Sequence, residues 1–178
     1  MGEIKKEHKK AILIIGLLVS SEKYFDVVEH RLEYDFGDIA RRSETIPFVY
    51  TDFYNKEMGD NILRRWISFK DLIFEDELSS VKHHTNNLEL LYKPDDSSGR
   101  QVNIDPGIIT LDKLILASTK NYSHRILIND GIYVEITLNY KKQKGFAPCD
   151  WTYPDYHDPQ NLEFFNQVRG DLKKMIHS

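Results

Sequence analysis

The chain has a single cysteine, Cys149, among its 178 residues. No internal disulfide can form, and a lone thiol in a chain of this size fits a reducing compartment, so the cytoplasm is the expected location. An excess of positive charge is missing too. Lys and Arg number 24 against 28 Asp and Glu, a formal charge of −4, which disfavours nucleic acid or an anionic membrane as partner, since either calls for a concentrated basic face. No segment approaches the roughly 18 consecutive apolar residues of a membrane-spanning helix. Also absent are a Gly-x-x-x-x-Gly-Lys-Ser/Thr phosphate loop, a Gly-x-Gly-x-x-Gly after the first strand, a Cys-x-x-Cys pair and a Gly-x-Ser-x-Gly elbow. NTPase, dinucleotide-binding, zinc-ribbon and α/β-hydrolase chemistries therefore lose their usual support.

What is present is ordinary for a globular protein: 40% hydrophobic and 29% charged residues, with 9 Phe, 10 Tyr and 2 Trp for an aromatic core. A chain of this length fits one domain, residues 1–178, because a single core can bury about 70% of the unfolded surface at this size. Lys5, Lys6, Lys9 and Lys10 precede the apolar run Ala11 to Val19. Such an order resembles a secretory leader, but the run is short, contains Gly16, lacks a small-residue cleavage pattern and leads into Ser20-Ser21, a helix start. A buried first strand behind a flexible basic stretch, residues 1–10, is expected instead.

Phe25, Val28, Leu32 and Phe36 then recur at helical spacing, with Gly37 placed to end the helix. Ile46 to Tyr54 and Ile62 to Ile73 read as strands, the second showing Ile62, Arg64, Trp66 and Ser68 on alternate positions. Leu78, Val81, Leu88 and Leu91 trace a second helix between Glu75 and Tyr92. Residues 94–99, Pro-Asp-Asp-Ser-Ser-Gly, are all turn formers and predict a mobile loop. Val102 to Ile104 predicts a brief strand, Asp105-Pro106-Gly107 a turn, and Thr110 the cap of a short helix carrying Leu111, Leu114 and Ile115. Asn129-Asp130-Gly131 between apolar strands is a hairpin signal. Phe165, Val168, Leu172 and Met175 mark a docking C-terminal helix. The order defines an α+β fold, a mostly antiparallel or mixed sheet with helices packed on it. A ferredoxin-like core with an added β-hairpin and a C-terminal helix is one arrangement that fits.

The polar residues worth attention gather between Asn103 and Thr137. A three-residue hairpin loop would set Arg125 opposite Glu135 and leave Ile126, Ile128, Ile132, Val134, Ile136 and Leu138 as the buried face, with Tyr133 on the half-polar side. A two-residue turn would bring His124 toward Glu135, where a carboxylate could orient an imidazole or both could share a metal. The three-residue loop leaves the cleaner apolar face and is preferred. Lys120, His124 and Arg125 at a helix-to-strand junction suit a phosphate or carboxylate, or simply complement a helix C-terminus. Asp105 could act as a base or serve as a turn former. Asp52 has Tyr50 and Tyr54 beside it, which could stack on a base or cover the sheet, while Trp151 and Tyr153, in an aromatic Pro-containing loop, could form a ligand-stacking lip or a clasp that pins the last helix to the body. His83 and His84 lack the i+4 partner a zinc helix needs, so no metal site is assigned.

Several strings form a recognisable set: Pro47-Phe48 leading to Thr51-Asp52-Phe53-Tyr54 and Glu57-Met58-Gly59, then Asn103-Ile104-Asp105-Pro106-Gly107, Lys120-Asn121-Tyr122-Ser123-His124-Arg125, Asp130-Gly131-Ile132-Tyr133 and Trp151-Thr152-Tyr153-Pro154-Asp155-Tyr156. Together they resemble a prokaryotic family known as domain of unknown function four-four-one-six, over nearly the whole chain. The resemblance implies one domain and supplies neither an activity nor a cofactor.

Two functional classes follow. The first is a small cytoplasmic domain that binds or processes a phosphorylated or nucleotide-like molecule, with Lys120, Arg125, Tyr133, Asp52, Tyr54, Trp151 and Tyr153 as ligand contacts and Glu135, His124 and Asp105 as candidate catalytic groups. The second is a non-catalytic protein-interaction module in which the same polar cluster is structural; exposed aromatics would permit self-association. Charged groups gathered at element ends favour the first.

Overall fold

The computed structural model describes residues 9–94 and 99–177. Most of the basic N-terminal stretch (residues 1–8) and of the predicted mobile loop (residues 95–98) lies outside them. The elements are β1 (Lys10–Val19), α1 (Lys23–Phe36), β2 (Ile39–Arg42), β3 (Ile46–Pro47), α2 (Asn55–Met58), β4 (Leu63–Phe74), α3 (Leu78–Leu91), β5 (Val102–Ile109), β6 (Lys113–Ser118), β7 (Ile126–Asn129), β8 (Ile132–Lys141), β9 (Gly145–Pro148) and α4 (Pro159–His177).

All nine strands join one antiparallel sheet in the order β2-β4-β1-β5-β6-β8-β7, with β3 against β4 and β9 against β8. β1 runs through the middle, which is why Ala11 to Val19 are buried without alternation: side chains on both faces meet covering helices. On one face, Leu13, Ile15 and Leu17 pack with Phe25, Val28 and Leu32 of α1 and with Val81 and Leu88 of α3. On the other, Ile12, Ile14 and Trp66 pack with Phe165, Val168 and Leu172 of α4. The first half of the chain, with order β2-β4-β1-β5 and both crossover helices on one face, repeats the split strand-helix-strand unit of a ferredoxin-like core. The remainder is larger than the expected hairpin: four strands extend the sheet, and α4 covers the face that α1 and α3 leave open.

Three local expectations fail, each for a physical reason. Ile46 to Tyr54 is not one strand; it pairs only at Ile46 and Pro47, then turns at Asp52 into α2. Asp105-Pro106-Gly107 is not a turn but the middle of β5, and the predicted helix after Thr110 is instead β6. Thr110 Oγ1 accepts the backbone N–H groups of Asp112 (3.2 Å) and Lys113 (3.1 Å), closing a β5–β6 hairpin. Leu114 and Leu116 then face α4 while Ala117 faces the α3 side, a period of two that three apolar residues mimic at helical spacing.

The β7–β8 hairpin combines both sequence alternatives. Asp130 (φ 44°) and Gly131 (φ 75°) form a two-residue turn between the paired Asn129 and Ile132. A bulge then absorbs Ile128, so Leu127 pairs with Tyr133 and Ile126 with Val134, the register that sets Arg125 beside Glu135. The expected burial is reversed at the edge: Ile126, Leu127, Ile128 and Ile136 are exposed, whereas Glu135 and Thr137 are buried. Inner strand β8 carries a polar inward pair, and β7 is the edge strand of the sheet.

Candidate functional site

The site begins with a missing donor. Ile104 gives its backbone N–H to Glu89 Oε1 (2.7 Å), and its carbonyl accepts from Lys82 Nζ (3.1 Å). Both groups therefore face away from β1, and Pro106, two residues on, turns its ring to that same side. Having no N–H, Pro106 cannot extend the ladder toward β6. β5 and β6 pair only from Gly107 and Leu116 onward, and below that point α3 side chains occupy the gap. A cavity of about 540 Å³ opens there, lined by α3, the end of β6 and the 119–125 segment, β4, the Phe48–Tyr54 region and the turn at Tyr153–Tyr156. Its volume falls in the range of small-molecule sites.

Arg64 sits on the floor, 3% exposed. Nη2 donates to Asp155 Oδ2 at 2.6 Å, also buried, while Nε and Nη1 have no partner among the described residues. The guanidinium lies 4.6 Å from the Trp66 ring and 5.2 Å from that of Phe48. Burial works against its charge, but Asp155, Tyr156 and Asp105 outweigh it and Arg64 stays firmly protonated. The other buried polar atoms without a partner are Trp66 Nε1 and Tyr156 Oη. They belong to the same cluster, since the Trp66 ring stands 4.7 Å from Tyr156. Burial, then the negative charges of Asp105 and Asp155, hold the Tyr156 hydroxyl well above its usual range; burial and Asp105 do the same to Tyr54. Both therefore remain neutral donors. Tyr50, pushed up to about 12 by burial and by its hydrogen bond to Asp158 (3.0 Å), braces the outer wall.

Asp105 faces the cavity. Its Oδ2 accepts from Asn103 Nδ2 (2.7 Å), and Lys82 Nζ stands 3.5 Å from Oδ1. Burial pushes the Glu89 carboxyl up against the pull of Lys82, the Ile104 N–H and Arg100. Arg100 links Glu57 (2.6 Å), Glu89 (3.1 Å) and Asn103 (2.9 Å) along one wall. At the mouth, Lys120 Nζ lies 4.0 Å from the Phe53 ring and has no ion-pair partner among the described residues.

Arg125 also lines the cavity, with Nε and Nη1 tied to the framework. Nε donates to Glu135 Oε2 (2.7 Å), and Nη1 to Ser118 Oγ (2.7 Å) and the Lys120 carbonyl (3.1 Å). His124 Nε2 reaches the same Glu135 Oε2 at 3.0 Å, Thr137 Oγ1 donates to Oε1 at 3.1 Å, and the His124 ring stacks on Trp151 (5.3 Å, 10°). Glu135 is thus saturated by donors.

Of the residues singled out in the sequence, Asp105, Lys120, Arg125, Tyr54 and Tyr153 line the cavity. Glu135 and His124 lie behind Arg125, outside the lining. Trp151 donates to the Ile136 carbonyl (2.9 Å) on that rear side, Tyr133 pairs in the ladder, and Asp52 is exposed in the turn before α2. Arg64, Lys82, Arg100, Asp155 and Tyr156 were not singled out. For Arg64 a signal existed: alternation puts it on the face of Ile62 and Trp66, a core face, where an Arg needs a partner. No group of three or more His, Cys, Asp or Glu side chains suited to a metal occurs among the described residues.

The fold and cavity define an α+β protein whose sheet is parted to make a small-molecule-sized site. The chain belongs to the family described as domain of unknown function (DUF4416), which matches residues 9–171. No curated protein and no solved structure matches it. No helix among the described residues is long and apolar enough to cross a membrane.

Proposed function

We propose that this protein is a cytoplasmic domain that binds a phosphorylated or nucleotide-like small molecule in the cavity between β5 and β6. The observation that supports this reading best is that two residues lining the cavity keep unpartnered buried donors, Arg64 Nε and Nη1 and Tyr156 Oη, with Trp66 Nε1 unpartnered in the adjoining core. Leaving a buried donor unmade costs about 1–3 kcal/mol, more when it is charged, so a site retaining several is built around a partner. Charge supports the same conclusion. The lining carries five cations, Arg64, Lys82, Arg100, Lys120 and Arg125, against three carboxylates, Glu89, Asp105 and Asp155, in a chain whose formal charge is −4. A local reversal of sign favours an anionic ligand. Asp105 is the carboxylate best placed to touch it.

A thermal-shift screen of sugar phosphates, nucleotides and inorganic phosphate tests the proposal. Ligand at 100 times its Kd stabilises the native state by about 2.7 kcal/mol and raises Tm by several degrees. Unchanged Tm across all phosphorylated compounds at millimolar concentration overturns it. A second reading, self-association through the sheet rim, is supported by the exposed Ile126, Leu127 and Ile128 of edge strand β7. Light scattering that returns only monomer rules it out.

A further inference from the structure

Resting on the reading that the cavity takes a phosphorylated molecule, we infer that it binds a nucleotide in one direction, with the phosphate at the mouth beside Lys120 and a neutral base edge on the floor between Arg64 and Asp105. The floor and the mouth differ in charge. On the floor the buried cations Arg64 and Lys82 are matched by the carboxylates of Asp105 and Asp155, so a phosphate dianion would find no surplus positive charge there and two carboxylates at close range. At the mouth, Lys120 is exposed and free of any ion pair among the described residues.

The floor instead offers donors beside an acceptor. Arg64 Nε and Nη1 and the Tyr156 hydroxyl are buried and have no partner among the described residues. Asp105 accepts one good hydrogen bond, from Asn103, and a long one from Lys82, which leaves acceptor capacity on a carboxylate with about four lone-pair sites. No hydrogen bond joins Arg64 directly to Asp105. Gly16 lies between them: it pairs with Asp105 on β5 and with Trp66 on β4, and a Cβ there would stand 2.8 Å from Arg64 Nη1. A Cβ there would also overlap Trp66 Cζ3, so the absent side chain makes room for the Trp66 ring and the guanidinium beside it. A planar edge carrying a carbonyl next to an N–H fits both sides at once, and nucleobases present such edges. Phe48 and Tyr54, 5.9 Å apart, supply aromatic wall beside it.

Calorimetric titration of the full chain with the four ribonucleoside monophosphates and with ribose 5-phosphate tests this. At least one nucleotide should bind at least about tenfold tighter than ribose 5-phosphate, and Asp105→Asn should abolish that preference while leaving the sugar phosphate within about twofold. Ribose 5-phosphate binding as tightly as every nucleotide overturns the base-edge assignment and leaves the phosphorylated-ligand proposal standing. Binding of none of these compounds overturns both. An Asp105→Asn protein that keeps the wild-type preference, with an unchanged melting curve, excludes Asp105 as the base-reading group.

Discussion

The Nη1 atom of Arg64, a residue of the cavity floor, packs over the bare Cα of Gly16 in β1. Gly16 sits in the central strand with no side chain, although a Gly there costs roughly 0.5–1 kcal/mol relative to Ala through chain entropy. Gly16→Ala would recover that amount and lose more, because its methyl would overlap the buried Trp66 ring and approach Arg64 Nη1 to 2.8 Å. Overpacking a dense core costs about 1–3 kcal/mol. Net destabilisation and a lower urea midpoint are expected; a stabilised variant would show that neither buried side chain is fixed.

Arg125 and Lys120 should separate structure from binding. Arg125→Ala strands the buried Glu135, and breaking such a pair costs about 3–5 kcal/mol. Lys120→Ala removes an exposed ammonium whose contact with Phe53 is worth no more than about 1 kcal/mol. Equilibrium denaturation should rank them in that order. Equal losses would contradict the assignment of Arg125 to the framework.

Arg41 of β2 holds Asp171 of α4, and its hydrogen bond, then its charge, lowers the Asp171 carboxyl below the usual range against the effect of burial. A depressed folded pKa gives stability that is present above the unfolded value and lost as pH falls through the folded one. The pair is partly exposed, so about 0.2–1 kcal/mol is at stake. Asp171→Asn should lower stability by that amount at pH 7 and match wild type once pH is below the folded pKa. A difference that persists undiminished in acid would refute the ion pair as its source.

The periodic elements were legible in the sequence because local pattern and burial agree there. β1, α1, β4, α3 and α4 carry most of their expected apolar residues where the core needs them, Leu91 and Met175 at the helix ends being exposed, and the resemblance to the family is borne out. The middle third misled first at β5. Asp105-Pro106-Gly107 has turn chemistry, yet lies in a strand whose far side meets α3 side chains instead of another strand, so a proline costs nothing there. The choice between His124 and Arg125 as partner of Glu135 dissolved because a bulge at Ile128 offset the two-residue turn, letting both reach one oxygen. Arg64 escaped notice because its role depends on β1, β4 and the Asp155 turn meeting, contacts that span 91 residues of chain.

In the proposed site, Arg64 holds its unpartnered donors for a ligand. Arg64→Lys keeps a positive charge beside Asp155 while removing the fork of N–H groups. Titration of wild type and this variant with the phosphorylated compound giving the largest thermal shift should show at least about tenfold weaker binding to the variant, with the variant still folded by circular dichroism. Equal affinity for the two folded proteins would contradict the account.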